Sequence, residues 1–447
     1  MRSEASKTLR LAVPIIIGEL AQMSLHIIDT AMVGAISYKQ LAAAALVVNA
    51  MNIPFVLGIG MTISVSQMVS LAHGRKDAPA VSHYLFNGFL LCTCTAALIS
   101  LVLILGKNGL MHLGQDAEVV SLAIPFMQLM GWSVIPMILF ITLKQFADGL
   151  EYTRTAMALS LMALPINIFL NWLLIYGNWG FPRLELLGAG WATFITRSLI
   201  FIALLVVILK HPTFKKYVAV WRSQWVFNWK TMKELLSIGI PSSLQIGMEA
   251  GAFAVSGIMI GTISAVAQAA HQIALSCAAF TFMVSMGLAQ ACSIRVSNAF
   301  GNNNWKKINL IGKSTLIAAI IYGCICALGF ALFRFQLPHF FTKDSQVLAL
   351  AATLLIFAAF FQVSDSTQAI GAGLLRGVKD VKVPTVFVGI AYWVIGLPTG
   401  YLLITVFDFG AQGIWTGLII GLTVASVLLL TRFLKRVKKE GLLAVNP

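Results

Sequence analysis

The sequence predicts an all-α integral membrane protein. Twelve spanning helices are expected in two six-helix lobes related by a pseudo-two-fold axis along the membrane normal. Three observations carry this. Of the 447 residues, 59% are hydrophobic and 11% charged, with a mean hydropathy of +0.88, whereas a soluble domain carries roughly 25% charged residues. The apolar residues gather into runs long enough to supply the ~20 residues that cross a bilayer. The two halves of the chain also repeat one another at a fixed register.

The runs follow in order. The first, near 11–36, resembles the apolar core of a signal peptide, but Glu19 interrupts it and no convincing small-residue cleavage site follows, so a spanning helix is expected. The second and third, near 41–71 and 84–105, are separated by HGRKD at 73–77. The fourth, fifth and sixth lie near 119–146, 156–176 and 188–209. The seventh and eighth, near 235–263 and 266–300, are followed by GNNNWKK at 301–307. The last four lie near 308–333, 346–375, 383–406 and 411–434. Several exceed the length a bilayer needs, so tilt or extension past the membrane is expected.

The longest connection divides these runs six and six, which gives lobes at 1–209 and 234–447 joined by a loop at 210–233. That loop carries Trp221, Trp225 and Trp229 among basic residues, at a spacing that would put all three on one face of a helix lying on the inner leaflet. The repeat pairs Pro14 with Pro241, MVGAIS at 32–37 with MIGTIS at 259–264, and Gly60 with Gly287. It continues through Ser66 and Ser293, Val69-Ser70 and Val296-Ser297, and Gly74 and Gly301. A weaker echo links Gly190 and Thr193 to Gly413 and Thr416. Each repeat has an even number of spans, so both enter the membrane in the same sense. In parallel-repeat transporters, substrate sites lie near the bilayer midplane at the repeat interface.

The net charge of +15 would prompt a nucleic-acid reading in a soluble protein. Here the basic residues sit between apolar runs, so they set orientation and no nucleic-acid partner is expected. With the N-terminus inside, twenty-two Lys and Arg fall in inside loops and tails, against Lys39, Lys107, Arg183, Arg334 and Lys343 outside. Both termini are therefore expected in the cytoplasm. Cys92, Cys94, Cys277, Cys292, Cys324 and Cys326 all fall in apolar runs. The C-x-C pairs point about 200° apart on a helix, so packing residues are expected rather than a disulfide framework or a zinc site. IGKST at 311–315 lacks the leading glycine of a phosphate-binding loop, GAGLLRG at 371–377 follows no strand, and H-E-x-x-H does not occur. Nothing here hydrolyses ATP, so uphill movement would require an ion gradient. Neither an enzyme nor a bound cofactor is expected.

Four carboxylates interrupt the apolar runs: Glu19, Asp29, Glu249 and Asp365. An Asp at a bilayer centre costs about 2.5–3.5 kcal/mol, so such a group is expected to bind a cation, carry a proton or find a partner. In span 1, Glu19, Gln22, His26 and Asp29 fit within about 80° of arc and form one polar stripe. In span 7, Ser242, Gln245, Glu249 and Ser256 share a face. In span 10, Asp365 lies between Gln362 and Gln368, with Ser364, Ser366 and Thr367 adding hydroxyls that suit a hard cation. Glu249 and Asp365 are thus the candidate Na⁺ ligands if the coupling ion is Na⁺, and proton carriers if it is H⁺. Asn167 and Asn171 lie one turn apart in span 5, and His271 and Gln272 open span 8. Lys144 and Arg197, at span edges, are candidates to pair with an acid such as Asp148.

Pro14 with IIDTAMVG at 27–34, the Glu249 segment with AAHQIAL at 269–275, SIRVSNAFG at 293–301, LLRGVKD at 374–380 and YWVIGLPTGY at 392–401 resemble the multidrug and toxic compound extrusion (MATE) family, in its NorM-type bacterial branch. The likeness runs through roughly residues 10–435. It implies a twelve-helix antiporter of the bacterial cytoplasmic membrane, expelling amphipathic, often cationic, drug-like compounds in exchange for Na⁺ or H⁺. It further implies that Glu249 and Asp365 form the C-terminal cation site, and that Asp29, Asn167 and Asn171 form an N-terminal polar site. A related branch carries an acid where Asn171 stands, and the amide here departs from an acid pair at that place. Gln22, His26, Gln245, Gln272, Gln362 and Gln368 are the further candidates for a polar cavity. Partners are expected to be membrane lipid and small substrates, with the chain monomeric. The alternative is a lipid-linked oligosaccharide flippase of the same broad superfamily. That reading prefers a cationic cavity, and the buried charges are mainly acidic.

Overall fold

A computed structural model describes residues 2–112, 116–224 and 226–443, and among them it is entirely helical. The helices are α1 (Arg2–Gly34), α2 (Tyr38–Gly74), α3 (Ala78–Gly106), α4 (Ala117–Gly149), α5 (Arg154–Tyr176), α6 (Leu186–Lys210) and α7 (Pro212–Gln224). They continue with α8 (Trp229–Gly261), α9 (Ala265–Gly301), α10 (Trp305–Phe333), α11 (Ser345–Gly377), α12 (Lys382–Gly389), α13 (Leu397–Thr405) and α14 (Gly410–Leu443). A π-helical turn, Ile390–Gly396, joins α12 to α13 within one span. Among the described residues, twelve helical stretches are long and apolar enough to cross a membrane. Large apolar side chains such as Leu98, Leu101, Val102 and Leu105 on α3 are exposed, as a lipid-facing surface requires.

The internal repeat reaches the helix ends. Ser37 caps α2 by accepting from the Gln40 amide at 3.2 Å, and Ser264, its equivalent, caps α9 by accepting from Ala267 at 3.0 Å. Asp77 caps α3 and the equivalent Asn304 caps α10. Such a cap satisfies one of the orphan N–H groups of the first turn. Just before these two caps, Lys76 (φ 59°) and Asn303 (φ 54°) turn the chain through the left-handed region.

The contacts divide the chain into two compact units, residues 17–243 and residues 1–16 with 244–447. This differs from a division at the 210–233 loop, and the reason lies in two equivalent crossings. A Cβ on Gly60 of α2 would lie 2.4 Å from Ser243 Cα, which seats the start of α8 in the first unit. A Cβ on Gly287 of α9 would lie 2.5 Å from Ile16 Cγ1, which seats the start of α1 in the second. At Gly60 any Cβ would run into backbone, and at Gly287 it would force the Ile16 side chain to move. A second equivalent pair closes each unit: a Cβ on Gly149 would meet the Ser66 carbonyl at 2.9 Å, and a Cβ on Gly377 the Ser293 carbonyl at 2.9 Å.

The connecting helix α7 is held down more firmly than an interfacial helix. Phe214 and Tyr217 are buried, Phe214 packs on Phe146 and Tyr152, and Ser82 Oγ donates to the Tyr217 carbonyl at 2.6 Å. The expected tryptophan stripe does not share one helix. Trp229 opens α8 after the non-helical residues 226–228, while the Trp221 side chain and Trp225 lie outside the described residues.

Candidate functional site

In the 17–243 unit the centre is Asp29. Asn171 Nδ2 donates to its Oδ1 at 2.6 Å and Thr193 Oγ1 to its Oδ2 at 3.2 Å. The same Asn171 amide also donates to Asn167 Oδ1 at 2.9 Å. The i, i+4 spacing on α5 aligns these two amides, and α6 brings Thr193 from the opposite side. Asn171 Oδ1 has no hydrogen-bond partner among the described residues, and Asn167 also stands within reach of the Asp29 carboxylate. Arg197, one turn beyond Thr193, is the charged neighbour of Asp29 and donates to Ser133 Oγ at 2.7 Å. Gln22 and His26 share the stripe on α1 but bond to none of these groups, and His26 is exposed.

Glu19 belongs to a different level of the same helix. Its Oε1 accepts from Lys144 Nζ on α4 at 2.5 Å. The stripe on α1 therefore serves two separate places, an ion pair at Glu19 and the amide cluster at Asp29.

In the 244–447 unit, α8 and α11 supply the acids. Glu249 Oε1 accepts from Gln368 Nε2 at 2.7 Å and from Gln245 Nε2 at 3.3 Å. Asp365 is 4% exposed and, among the described residues, receives no hydrogen bond. Its charged neighbour is Glu249, and Arg376 is in turn a charged neighbour of Glu249. Tyr392, from the π-helical turn, is buried beside both acids. Single π turns of this kind recur at functional sites because they re-aim side chains. Two carboxylates of like charge at one buried place need a proton or a cation between them.

The neighbouring polar groups do not converge as expected. Ser366 bonds Ser285, Ser364 bonds Thr423 and Thr367 bonds Ser426, each across to another helix. Consecutive residues on α11 point about 100° apart, so these hydroxyls fan outward and leave Asp365 bare. Gln362 accepts from Thr281 Oγ1 at 2.9 Å and leaves its own Nε2 buried and unpartnered. His271 is buried edge-on to Trp415 with both ring nitrogens unpartnered. Gln272 is exposed and lines a shallow depression with Ile273, Ser276 and Phe341, away from Glu249.

The structure thus gathers Asp29, Asn167 and Asn171 in one place, and Glu249, Asp365, Gln245 and Gln368 in another. Sequence reasoning passed over Thr193, Arg376 and Tyr392 as site residues. Thr193 stood only in the repeat echo with Thr416, and the other two stood only inside motifs.

The sequence matches the MatE family over residues 14–173 and again over 241–402, so each match begins at one of the paired prolines. A probable multidrug resistance protein NorM of Mesorhizobium japonicum is 33% identical over 442 residues, covering 97% of this chain and 94% of its own. The multidrug resistance protein MdtK of Pectobacterium atrosepticum is 31% identical over 451 residues, covering 99% and 98%. Among solved structures, the eukaryotic MATE transporter AtDTX14 superposes with a TM-score of 0.88 at 21% identity over 98% of both chains.

Proposed function

The chain belongs to the MatE family, and we propose that it is a secondary multidrug exporter working by alternating access. It exchanges amphipathic, often cationic, compounds for Na⁺ or H⁺ across the bacterial cytoplasmic membrane. The observation that carries this reading is Asp365, 4% exposed, without a hydrogen bond among the described residues, and beside the acid Glu249. A bare carboxylate in a dry site is costly unless it takes a proton or coordinates a cation. Glu249 and Asp365 supply the carboxylate oxygens, and Gln245 and Gln368 orient Glu249. Binding of the coupling ion neutralises the acids and weakens their hold on a cationic compound, so the ion favours release. Asp29, with Asn167, Asn171 and Thr193, forms a second polar place that contributes to substrate or ion handling. The names of the relatives favour drug export over flipping of a lipid-linked oligosaccharide. The distribution of Lys and Arg supports termini in the cytoplasm.

Two experiments test this. Ethidium efflux from proteoliposomes is driven by an imposed Na⁺ gradient alone, then by a pH gradient alone. One of the two is expected to support export, and neither doing so overturns ion coupling. Glu249→Gln and Asp365→Asn, reconstituted at equal density, are expected to lose that export, and wild-type rates in both would remove these acids from the mechanism.

A further inference from the structure

Asp148, at the Gly149 end of α4, takes no part in either site described above. It is 0% exposed, and among the described residues neither of its carboxylate oxygens has a hydrogen-bond partner. Lys144 stands one turn before it on α4, where i, i+4 side chains are neighbours. Yet Lys144 Nζ is bonded to Glu19 Oε1 at 2.5 Å. Lys144 and Glu19 are the charged groups that reach Asp148. α2, α3 and α6, which pack on α4, place no charge against it. The approach is tight, since a Cβ on Gly149 would touch the Ser66 carbonyl of α2. Counting charge, Lys144 is neutralised by Glu19, so an ionised Asp148 would leave one uncompensated negative charge in a dry place. The cost of an isolated buried carboxylate is large enough that the group takes a proton instead.

We propose that Glu19, Lys144 and Asp148 form a proton-binding triad in which Lys144 neutralises one carboxylate at a time and the other keeps the proton. The structure has Glu19 on the ammonium, the state in which the proposal puts the proton on Asp148. Glu19 has 23% of its side chain exposed, against 0% for Asp148, so Glu19 is the less enclosed of the two acids. When Glu19 leaves Lys144, the O–H bond at Asp148 breaks and one forms at Glu19, directly or through water. Lys144 then pairs with the Asp148 carboxylate. One positive and one negative charge remain before and after, so the exchange moves a proton without burying net charge.

The test is infrared spectroscopy of the full-length protein in lipid nanodiscs at neutral pH, reading the C=O stretch of protonated carboxyls. Subtracting Asp148→Asn from wild type is expected to reveal one protonated-carboxyl band that exchanges slowly in D₂O. Glu19→Gln frees Lys144 for Asp148, and the same band is expected to vanish. Lys144→Met leaves two carboxylates without a cation, and a second protonated band is expected to appear. The proposal is overturned if Asp148→Asn removes no band, or if the band persists in Glu19→Gln. Should Asp148→Asn fail to fold, wild-type protein labelled with ¹³C at the aspartate side-chain carboxyls decides: the band is expected to shift, and an unshifted band overturns the proposal.

Discussion

Asp29 accepts hydrogen bonds on both carboxylate oxygens, from Asn171 and Thr193, with Arg197 as charged neighbour. Asp365, in the other unit, accepts none among the described residues, and its charged neighbour is another acid. The scaffolds around them are nearly superimposable in logic, down to the caps at Ser37 and Ser264 and the crossings at Gly60 and Gly287. Duplication has thus kept the framework and altered the chemistry. Donors built into the protein offset part of the cost of burying the charge of Asp29. The charge of Asp365 requires something from outside. That contrast is why ion coupling is proposed for the 244–447 unit, while the 17–243 unit holds an acid already furnished with donors.

Substituting the two acids is the strongest way to break this comparison. Asp365→Asn removes the need for a proton or cation, and ethidium efflux is expected to fall to the background of empty vesicles. Asp29→Asn keeps one acceptor oxygen, enough for Asn171 or Thr193 but not both. Its loss is expected to be about tenfold, equivalent to ~1.4 kcal/mol, with part of the ion dependence retained. Abolition by Asp29→Asn with only a mild loss in Asp365→Asn would reverse the roles given to the two units.

A finer cut compares the amides that hold the acids. Asn171→Leu removes the 2.6 Å donor to Asp29 and is expected to cost about 1.5–3 kcal/mol in export, the range for a hydrogen bond to a charged group. Gln245→Leu removes a 3.3 Å donor from an oxygen that Gln368 also serves at 2.7 Å. Its cost is expected to be ~0.5 kcal/mol, near the lower end of the range for an ordinary hydrogen bond. Initial efflux rates at matched protein density measure both, and equal effects would show that Gln245 positions Glu249 as strongly as Asn171 holds Asp29.

What was legible beforehand follows the same division. Span count and repeat register could be read because apolar length and small residues at fixed offset report directly on the membrane and on helix crossings. Asp29, Glu249 and Asp365 stood out because a carboxylate in an apolar run is expensive, and a family resemblance then supplied their grouping. Thr193 could not stand out, since a threonine in a spanning helix can bond its own backbone and is silent in composition. The pairing of Glu19 with Lys144 needed the placement of α1 against α4, which no pattern within either helix contains. The three hydroxyls around Asp365 were adjacent in sequence and proved to be committed to other helices. Neighbours along a helix point in different directions, and the choice among partners is tertiary. The π-helical turn that brings Tyr392 to the acids has no sequence signature of its own.

The shared framework permits a test of smaller effect. Gly60 and Gly287 are equivalent, but they meet different atoms. A methyl group at Gly60 would run into backbone, with Ser243 Cα at 2.4 Å and its amide nitrogen at 2.7 Å, so α8 itself must shift. At Gly287 the nearest atom is Ile16 Cγ1 at 2.5 Å, in a side chain that can rotate, and the backbone nitrogen lies at 3.1 Å. Overpacking of a tight contact costs about 1–3 kcal/mol. Gly60→Ala is expected near the top of that range and Gly287→Ala near the bottom, read as melting temperatures of the detergent-purified protein by intrinsic fluorescence. Equal losses would mean that Ile16 is as fixed as the α8 backbone, and the two crossings would then be alike in mechanics as well as in position.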